Sequence, residues 1–324
     1  MATDNALVPV FVPPLATLLA HAEKLKGTPL TEAEVERVRD HAICVMMRPS
    51  AADDMTASRG YCDVEPENCW ADWHRLRVEL TGNGYLPKIL LCLVGGADFP
   101  AKAQPILDEL GLQYEFAPRD ERMAKAFESS SFRVSPTLKP ADFARIAQHE
   151  SVLYVFSKNF SAREAPNVSQ KLLQAGARLL DATGFAMKCE SSGIAHSSAR
   201  WQALAKQADD PSDRAEFWTG LFDAFVAYPI QSKGDFYSCG MHLLGKPDLI
   251  TATDLAPVKD AVELFRAFAM YLLVECPDGE FASGHTFSAS AATPRYRVAW
   301  EPCTGYDEDD FFFNPFGRWR FTAS

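Results

Sequence analysis

The sequence predicts a mixed α/β (α+β) protein, with helices packed on mixed β-sheets in two domains of related size. Three observations predict this class. Continuous apolar runs of strand length, such as 88–94 and 151–156, are bounded by turn residues. Segments with apolar residues at helical spacing alternate with these runs. The length of 324 residues is about twice that of a typical domain, and we place the boundary between an N-terminal domain 1–145 and a C-terminal domain 146–324.

The predicted elements of the first half begin with two helices. Residues 15–26 have helical apolar spacing and precede Gly27, and Thr31 and Glu34 form a capping box for a helix that runs to about His41. Residues 48–68 contain Pro, Asp and Gly and are predicted to be an irregular connection. The remaining predictions are helices at 67–80, at 101–110 and near 121 and 141, and strands at 88–94 and near 114.

The second half is predicted from the same two periodicities. The helix at 214–228 has aromatic residues on one face at helical spacing. The alternation of apolar and polar residues over 288–300 is typical of a strand. The other predictions are strands at 151–156, 184–189, 236–243 and 249–252, and helices at 165–180, from 197, and at 258–274.

Charge and cysteine content restrict the function classes. The net charge is −11, from 43 acidic and 32 basic residues, which disfavours direct nucleic-acid binding and is compatible with a basic partner, although solubility alone would also explain it. The eight cysteines are spread along the chain without a CxxC pair, which indicates reduced structural thiols. No membrane span or secretory signal is recognisable, so we expect a cytoplasmic protein with no cofactor.

A glycine-rich turn follows the first buried strand. Gly95-Gly96-Ala97-Asp98 lies between a predicted strand and a predicted helix, where phosphate-binding loops occur. The turn lacks both the GxGxxG pattern and the Gly-Lys-Ser/Thr of a Walker loop. We therefore favour a tight turn capped by Asp98 over a nucleotide site.

Cysteine and histidine residues near strand ends carry the enzyme hypothesis. In this alternative, a hydrolase or metal enzyme would use the 189–196, 239–248 and 285 cluster, because a nucleophilic thiol needs an imidazole beside it and zinc needs several converging ligands. The spacing matches no diagnostic motif, and histidines at such positions also cap strands. We therefore assign no catalytic or metal residue in the favoured interpretation. The candidates are Cys189, Glu190, His196, Cys239, His242, Asp248 and His285.

Acidic residues beside aromatic ones carry the binding hypothesis. Four acids at 307–310 directly precede three phenylalanines, and a second acidic segment at 53–73 is interleaved with aromatic residues. Carboxylates could steer a basic partner that the aromatic rings then anchor. Alternatively, the first segment is a solvated turn before a C-terminal strand that packs its aromatic residues inward. The partner-binding candidates are Asp53, Asp54, Tyr61, Asp63, Glu65, Trp70, Trp73, Asp307, Glu308, Asp309, Asp310 and Phe311.

Two short motifs of the second half resemble a known group of proteins. They are Ser191-Ser192-Gly193-Ile194-Ala195-His196 with Trp201, and the run from Gly240 to Asp248. They resemble a family of uncharacterised bacterial cytosolic proteins that includes immunity-type proteins paired with secreted toxins, among them effectors of the type VI secretion system. The resemblance implies a non-enzymatic inhibitor that binds a cognate toxin. From the net charge we infer that this toxin is basic and of nuclease type.

Overall fold

The protein is described by a computed structural model in which residues 7–59, 63–81, 84–275 and 281–324 are defined. The predicted class, mixed helices and sheets, is confirmed. The chain divides into two units, Met1–Tyr85 and Leu86–Ser324. The predicted boundary at 145/146 therefore falls inside the second unit.

Unit 1 combines helices with one short antiparallel strand pair. The predicted helix starts at 15 and 32 are confirmed, and the Thr31–Glu34 capping box forms. Residues 48–68, predicted to be irregular, are largely helical, because Pro49 occupies the first helical position, where it is tolerated, and an alanine-containing segment follows. The elements are β1 (Val8–Phe11), α1 (Leu15–Lys26), α2 (Glu32–His41), β2 (Cys44–Met47), α3 (Pro49–Arg59), a 3₁₀ turn (Pro66–Asn68) and α4 (Cys69–Thr81).

The first sheet of unit 2 is antiparallel throughout. Its order is β4-β5-β3-β6-β7, and its strands confirm the predictions at 88–94, near 114, at 151–156 and at 184–189. β5 lies between β3 and β4, so the strands on both sides of position 145 belong to one sheet. The strands are β3 (Leu90–Gly95), β4 (Gln113–Pro118), β5 (Ser151–Phe156), β6 (Gly184–Cys189) and β7 (Ile194–Ser197).

Helices of unit 2 cover this sheet and join it to the next one. Apolar residues from both sheets and from five of the helices form one core that includes Trp201, Phe225 and Phe268. Residues of the helices 123–131 and 140–147 form a separate cluster with the first sheet, which includes Phe127 and Ile146. The helices are α5 (Phe99–Leu110), α6 (Met123–Ser131), α7 (Pro140–Ala147), α8 (Ala165–Asp181), α9 (Ser198–Asp209), α10 (Arg214–Phe225) and α11 (Val258–Met270), which continues as one π-helical turn (Tyr271–Glu275).

The second sheet of unit 2 is mixed, in the order β11-β12-β13-β10-β9-β8, and β10 and β13 are parallel. The strand predicted over 236–243 ends at Tyr237, because Gly240 at φ 120° turns the chain into a 3₁₀ segment (Met241–Leu244). The strand predicted over 288–300 is confined to its last part. The strands are β8 (Ile230–Ser232), β9 (Asp235–Tyr237), β10 (Asp248–Ala252), β11 (Thr286–Phe287), β12 (Tyr296–Glu301) and β13 (Arg318–Ala323).

The second sheet buries one face and leaves the other open. On β13, Trp319 and Phe321 pack into the core while Arg318 and Arg320 lie on the opposite face, as the two-residue period of a strand requires. The C-terminal strand with inward aromatic residues is thus present. Glu301 on β12 binds both arginines on the outer face. No helix in the described ranges has the length and apolarity needed to cross a membrane.

Candidate functional site

A pocket of about 480 Å³ lies at one end of the outer face of the second sheet. Its wall away from the sheet is the chain between β12 and β13, residues 302–317, which we call the C-terminal connection. Its sheet side comes from the β8–β9 turn and from β10. Polar and aromatic residues line the pocket, among them Asp235, Tyr237, Ser238, Asp248, Tyr306 and Asn314.

Asp248 forms the floor of this pocket, and its carboxylate binds residues from both the sheet side and the C-terminal connection. The residue is only 7% exposed, at the first position of β10. Its Oδ1 accepts hydrogen bonds from Ser238 Oγ at 2.6 Å and Met241 N at 3.3 Å, and its Oδ2 accepts one from Asn314 Nδ2 at 2.7 Å. Because Asn314 lies in the C-terminal connection, this carboxylate fastens the connection to the sheet.

Aromatic rings form one side of the pocket. The hydroxyls of Tyr237 and Tyr306 are 2.9 Å apart, and Tyr306 packs edge-on against Phe312 with ring centroids 5.4 Å apart. Phe312 also touches the β6–β7 turn, where a Cβ on Gly193 would lie 2.8 Å from its ring. Burial, the hydrogen bond with Tyr237 and nearby acidic groups raise the pKa of Tyr306.

Two buried polar side chains adjoin the floor. His242 is 1% exposed, and neither ring nitrogen has a hydrogen-bond partner among the described residues, since its Nδ1 lies 4.0 Å from Asp248 Oδ2. Arg133 is 3% exposed and donates to the carbonyl oxygens of Tyr228, Ser192, Val226 and Cys239. Burial lowers the pKa of Arg133. The guanidinium joins the loop after α6 to three other segments of unit 2.

A second, open groove of about 530 Å³ lies on the other side of Phe312. Phe311 lines it, and Lys88 Nζ lies 5.1 Å from the centre of the Phe311 ring, a cation–π contact. Lys188 and Glu190 form an ion pair of 2.6 Å in the groove. Phe312, which lines both, therefore separates the pocket from the open groove.

The four acids at 307–310 form an exposed turn at this place. All four side chains are solvent-exposed, and the carboxylate of Asp310 also accepts the backbone N–H of Phe312 at 2.8 Å. The turn is solvated and a C-terminal strand follows, as in the second alternative, and the carboxylates adjoin half-buried aromatic rings. Asp310 supports the turn itself, whereas the other three acids are free to face a partner.

The second acidic segment provides fewer surface residues than predicted. Asp53, Asp54 and Glu65 are exposed, and Trp70 is half-buried against His74. Tyr61 lies outside the described residues.

Two residues of this segment have structural positions instead. Trp73 is fully buried in the core of unit 1, so it packs rather than forms a surface. The Asp63 carboxylate accepts the backbone N–H groups of Leu15 and Ala16 at 2.9 and 2.8 Å, which caps the start of α1.

The cysteine and histidine candidates do not form one cluster. His196 is buried with its Nε2 3.2 Å from the carbonyl of Ala224, and His285 is exposed and packs on Phe281. Within the described ranges, no group of three or more His, Cys, Asp or Glu side chains is placed to hold a metal ion. Of these candidates, Asp248 lines the pocket, and His242 Nδ1 lies 4.0 Å from its carboxylate.

The thiols in this region are not activated. Burial raises the pKa of Cys189 to about 11 and also raises the pKa of Cys239. A nucleophilic thiol needs a lowered pKa, since the thiolate is the reactive form. The environment of both cysteines therefore favours a packing role.

The glycine turn after β3 is closed. A Cβ on Gly95 would lie 2.4 Å from the Phe99 ring, and Ser151 Oγ donates to the Gly96 carbonyl. Asp98 stands at the helix start as expected, but its carboxylate binds Lys102 and does not cap α5. The Gly96 carbonyl and the Asp98 carboxylate thus both bind other residues of the protein.

Sequence reasoning found some of the pocket residues and missed others. His242 and Asp248 belong to the 239–248 segment noted from the sequence, whereas Asn314 and Arg133 belong to no such motif. Asn314 precedes Pro315, a turn signal, but its bond to Asp248 spans 66 positions. No local pattern marks Arg133.

No protein-family model, curated protein or solved structure matches this chain.

Proposed function

We propose that the protein is an immunity-type inhibitor that works in the bacterial cytoplasm. It binds a cognate toxin, a basic nuclease-type effector of the type VI secretion system, and blocks it by occupying its surface. The proposal combines the resemblance of the 191–196 and 240–248 motifs with the geometry of the C-terminal connection. The observation that carries it is the exposed acidic turn at 307–309 beside the aromatic residues that separate the pocket and the groove.

The charges and anchors of this surface suit protein binding. Three exposed carboxylates in sequence produce a local negative field, which speeds the encounter with a basic surface. Phe311 and Phe312 are half-buried at the groove, where a partner could cover them. Hydrogen bonds of Asp310 and Asn314 hold the chain on both sides of these rings. The connection therefore loses little conformational entropy when a partner binds.

The alternative, a cysteine–histidine hydrolase or metal enzyme, has less support. The candidates at 189–196 and at 285 lie in separate surroundings, and burial raises the pKa values of Cys189 and Cys239. A binding protein needs neither a thiolate nor a metal. In the favoured proposal the exposed acidic turn is the functional surface.

The proposal is tested with the purified product of the adjacent gene. We expect a complex with a dissociation constant well below micromolar and rescue of cells that express the toxin. If the adjacent gene encodes no toxin, or no complex forms at micromolar concentration, the proposal fails. Growth rescue separates inhibition from binding alone.

The steering surface is tested with the triple variant Asp307→Lys, Glu308→Lys, Asp309→Lys. Asp310 is kept because it supports the turn. We expect the association rate at low salt to fall at least about tenfold and to lose most of its salt dependence, because electrostatic steering acts mainly on encounter. The measurement is stopped-flow or surface plasmon resonance at several ionic strengths.

A matched control reverses three exposed acids away from the connection: Glu128→Lys, Asp209→Lys, Asp210→Lys. Both triple variants change the net charge equally. If the control slows association as much as the 307–309 variant does, net charge rather than this turn steers the partner. A second variant, Asp53→Lys with Asp54→Lys, tests the exposed acids of α3 in the same assay.

A further inference from the structure

The pocket beneath the C-terminal connection has the chemistry of a guanidinium site. We propose that it receives an arginine side chain of the partner protein, with the guanidinium at Asp248 and the stem beside the aromatic rings. This inference rests on the proposed function and names the contact that would hold the partner after encounter. The exposed turn at 307–309 speeds association, and the pocket binds one specific side chain of the partner.

The floor of the pocket has unused hydrogen-bonding capacity. Asp248 Oδ2 accepts one hydrogen bond from the described residues, that of Asn314. The 4.0 Å from His242 Nδ1 is too long for another. An ionised carboxylate has about four acceptor positions, so Oδ2 can accept a further donor. Asn314 and Ser238 hold the carboxylate in place, which fixes the geometry that a planar guanidinium would meet.

The walls of the pocket suit the same ligand. Tyr237, Tyr306 and Phe312 place three aromatic rings along one side. Arginine stacks on aromatic faces and is more weakly hydrated than lysine, so it loses less on entering a partly buried site. The volume of about 480 Å³ is ample for one side chain with accompanying water.

The ionic partners of the lining residues favour a cation over an anion. Arg318 is bound to Glu301 at 2.6 Å, and Asp235 is paired with Arg320 at 3.4 Å. Lys233 lies at the exposed β8–β9 turn. Within the described part of the chain, Asp248 has no ion pair with a lysine or arginine, which makes it the lining carboxylate that an incoming cation can neutralise.

The opposing buried charge is already engaged. Arg133 donates to the carbonyl oxygen of Cys239, next to Ser238, and to three other carbonyl oxygens. Four of the five N–H groups of its guanidinium are therefore bound to main-chain oxygens. An anionic ligand would meet the Asp248 carboxylate at the floor without a cation there to bind it.

The first test uses the wild-type protein and a thiol in the pocket lining. Cys303 lines the pocket and is half-buried, whereas Cys44 is exposed in unit 1 and serves as the internal reference. The rate of iodoacetamide alkylation at each cysteine is followed by peptide mass spectrometry. The probes are N-acetyl-L-arginine amide and its uncharged isostere N-acetyl-L-citrulline amide, at concentrations on the order of 10 mM, as expected for one isolated side chain.

We expect the arginine probe to slow alkylation of Cys303 at least about twofold relative to Cys44, and the citrulline probe to leave it unchanged, since only the guanidinium carries the charge that Asp248 attracts. Equal rates with both probes would overturn the proposal. Because no variant is involved, a folding defect cannot explain either result.

The second test uses Asp248→Asn, which removes the charge at nearly constant volume. The matched control is Asp223→Asn, which removes a half-buried carboxylate of α10 that is paired with Arg200 and Arg266 outside the pocket. We expect protection of Cys303 to disappear in the first variant and to persist in the second. Circular dichroism and a thermal melt establish that each variant is folded.

The same pair of variants decides whether the arginine comes from the partner. We expect Asp248→Asn to weaken the complex at least about tenfold, mainly through faster dissociation, and Asp223→Asn to change it by less than about threefold. Unchanged affinity in Asp248→Asn would overturn the pocket inference while the proposed function stands. Absence of any complex with the wild-type protein would instead contradict the proposed function.

Discussion

At the scale of single residues, burial changes the protonation of one histidine of unit 2, His196. His196 is enclosed between Ala224 and Trp201, and the centroids of the imidazole and the Trp201 ring are 5.7 Å apart. Its Nδ1 has no partner among the described residues. Burial lowers the pKa of His196 from 6.5 to about 4, because a charged imidazole would lose its hydration there.

This shift predicts a pH dependence of stability. Between pH 6.5 and 4 the unfolded chain binds a proton at His196 that the folded chain does not bind, so the free energy of unfolding falls as the pH is lowered through that window. His196 alone contributes up to about 3 kcal/mol to this loss. Urea unfolding at several pH values measures it. His74 in unit 1, whose pKa burial also lowers to about 4, adds to the total.

The variant His196→Gln isolates the contribution of His196. Glutamine keeps a donor for the Ala224 carbonyl but does not titrate, so the free energy of unfolding should depend less steeply on pH below 6.5. His285→Gln, at an exposed histidine, is the control and should match the wild-type slope. A His196→Gln protein with the full wild-type slope would show that other groups cause the acid sensitivity.

At the scale of elements, the turn after β9 depends on one glycine. Gly240 has φ 120°, and a Cβ there would lie 2.2 Å from the carbonyl oxygen of Phe225. Both the backbone conformation and the contact with main-chain atoms exclude a side chain. This close approach lets Arg133 bind the carbonyl oxygens on both sides of it, those of Val226 and Cys239.

We therefore expect Gly240→Ala to lower the free energy of unfolding by more than about 3 kcal/mol. The control is Gly234→Ala in the β8–β9 turn, which also has a positive φ of 84° but no atom within 4 Å of the added Cβ. That variant should lose about 1 kcal/mol, from the backbone conformation alone. Denaturant unfolding compares the two, and equal losses would mean that the Phe225 contact relaxes at little cost.

Elements whose stabilising pattern lies within their own segment could be predicted from the sequence, and those that depend on distant segments could not. The buried strands at 90–95 and 151–156 and the helix from 214 follow from continuous or periodic apolar residues, and all were predicted. The pairing of β1 with β2 was not, because it joins Val8–Phe11 to Cys44–Met47 across two helices. The 49–59 helix was hidden by Pro49 and the two aspartates, residues that occur in loops as well as at helix starts.

The candidate site divides in the same way. The sequence marked Asp248 and His242 as polar residues near a strand end, and marked the acids before Phe311 as unusual. It could not indicate that Asn314 would meet Asp248, because that contact needs the C-terminal connection to return across the sheet. The pocket is a product of tertiary structure, whereas the acidic turn is a property of the local sequence.

At the scale of the whole molecule, the sheet order predicts which fragments can fold. Residues 86–324 contain both sheets and the core between them. A fragment that begins at 146 lacks β3 and β4, the two strands that flank β5. We expect 86–324 to unfold cooperatively and to protect β5 amides from hydrogen exchange.

The fragment 146–324 is the comparison. We expect it to expose the edges of β5 and β6 and to aggregate or remain partly unfolded. Circular dichroism, denaturant unfolding and hydrogen exchange distinguish the two fragments. A cooperative transition in 146–324 would support the boundary near 145 that the sequence predicts.

The position of β13 has a consequence for how the protein is made. β13 lies between β12 and β10, so β10 has no partner on that side until residues 318–323 have left the ribosome. During translation, the edge of β10 that later pairs with β13 stays unpaired while the following residues are synthesised. The second sheet, and with it the pocket floor, can therefore be completed only after residues 318–323 have emerged. A nascent chain stalled shortly before Arg318 should be a substrate for chaperones that recognise exposed apolar strands.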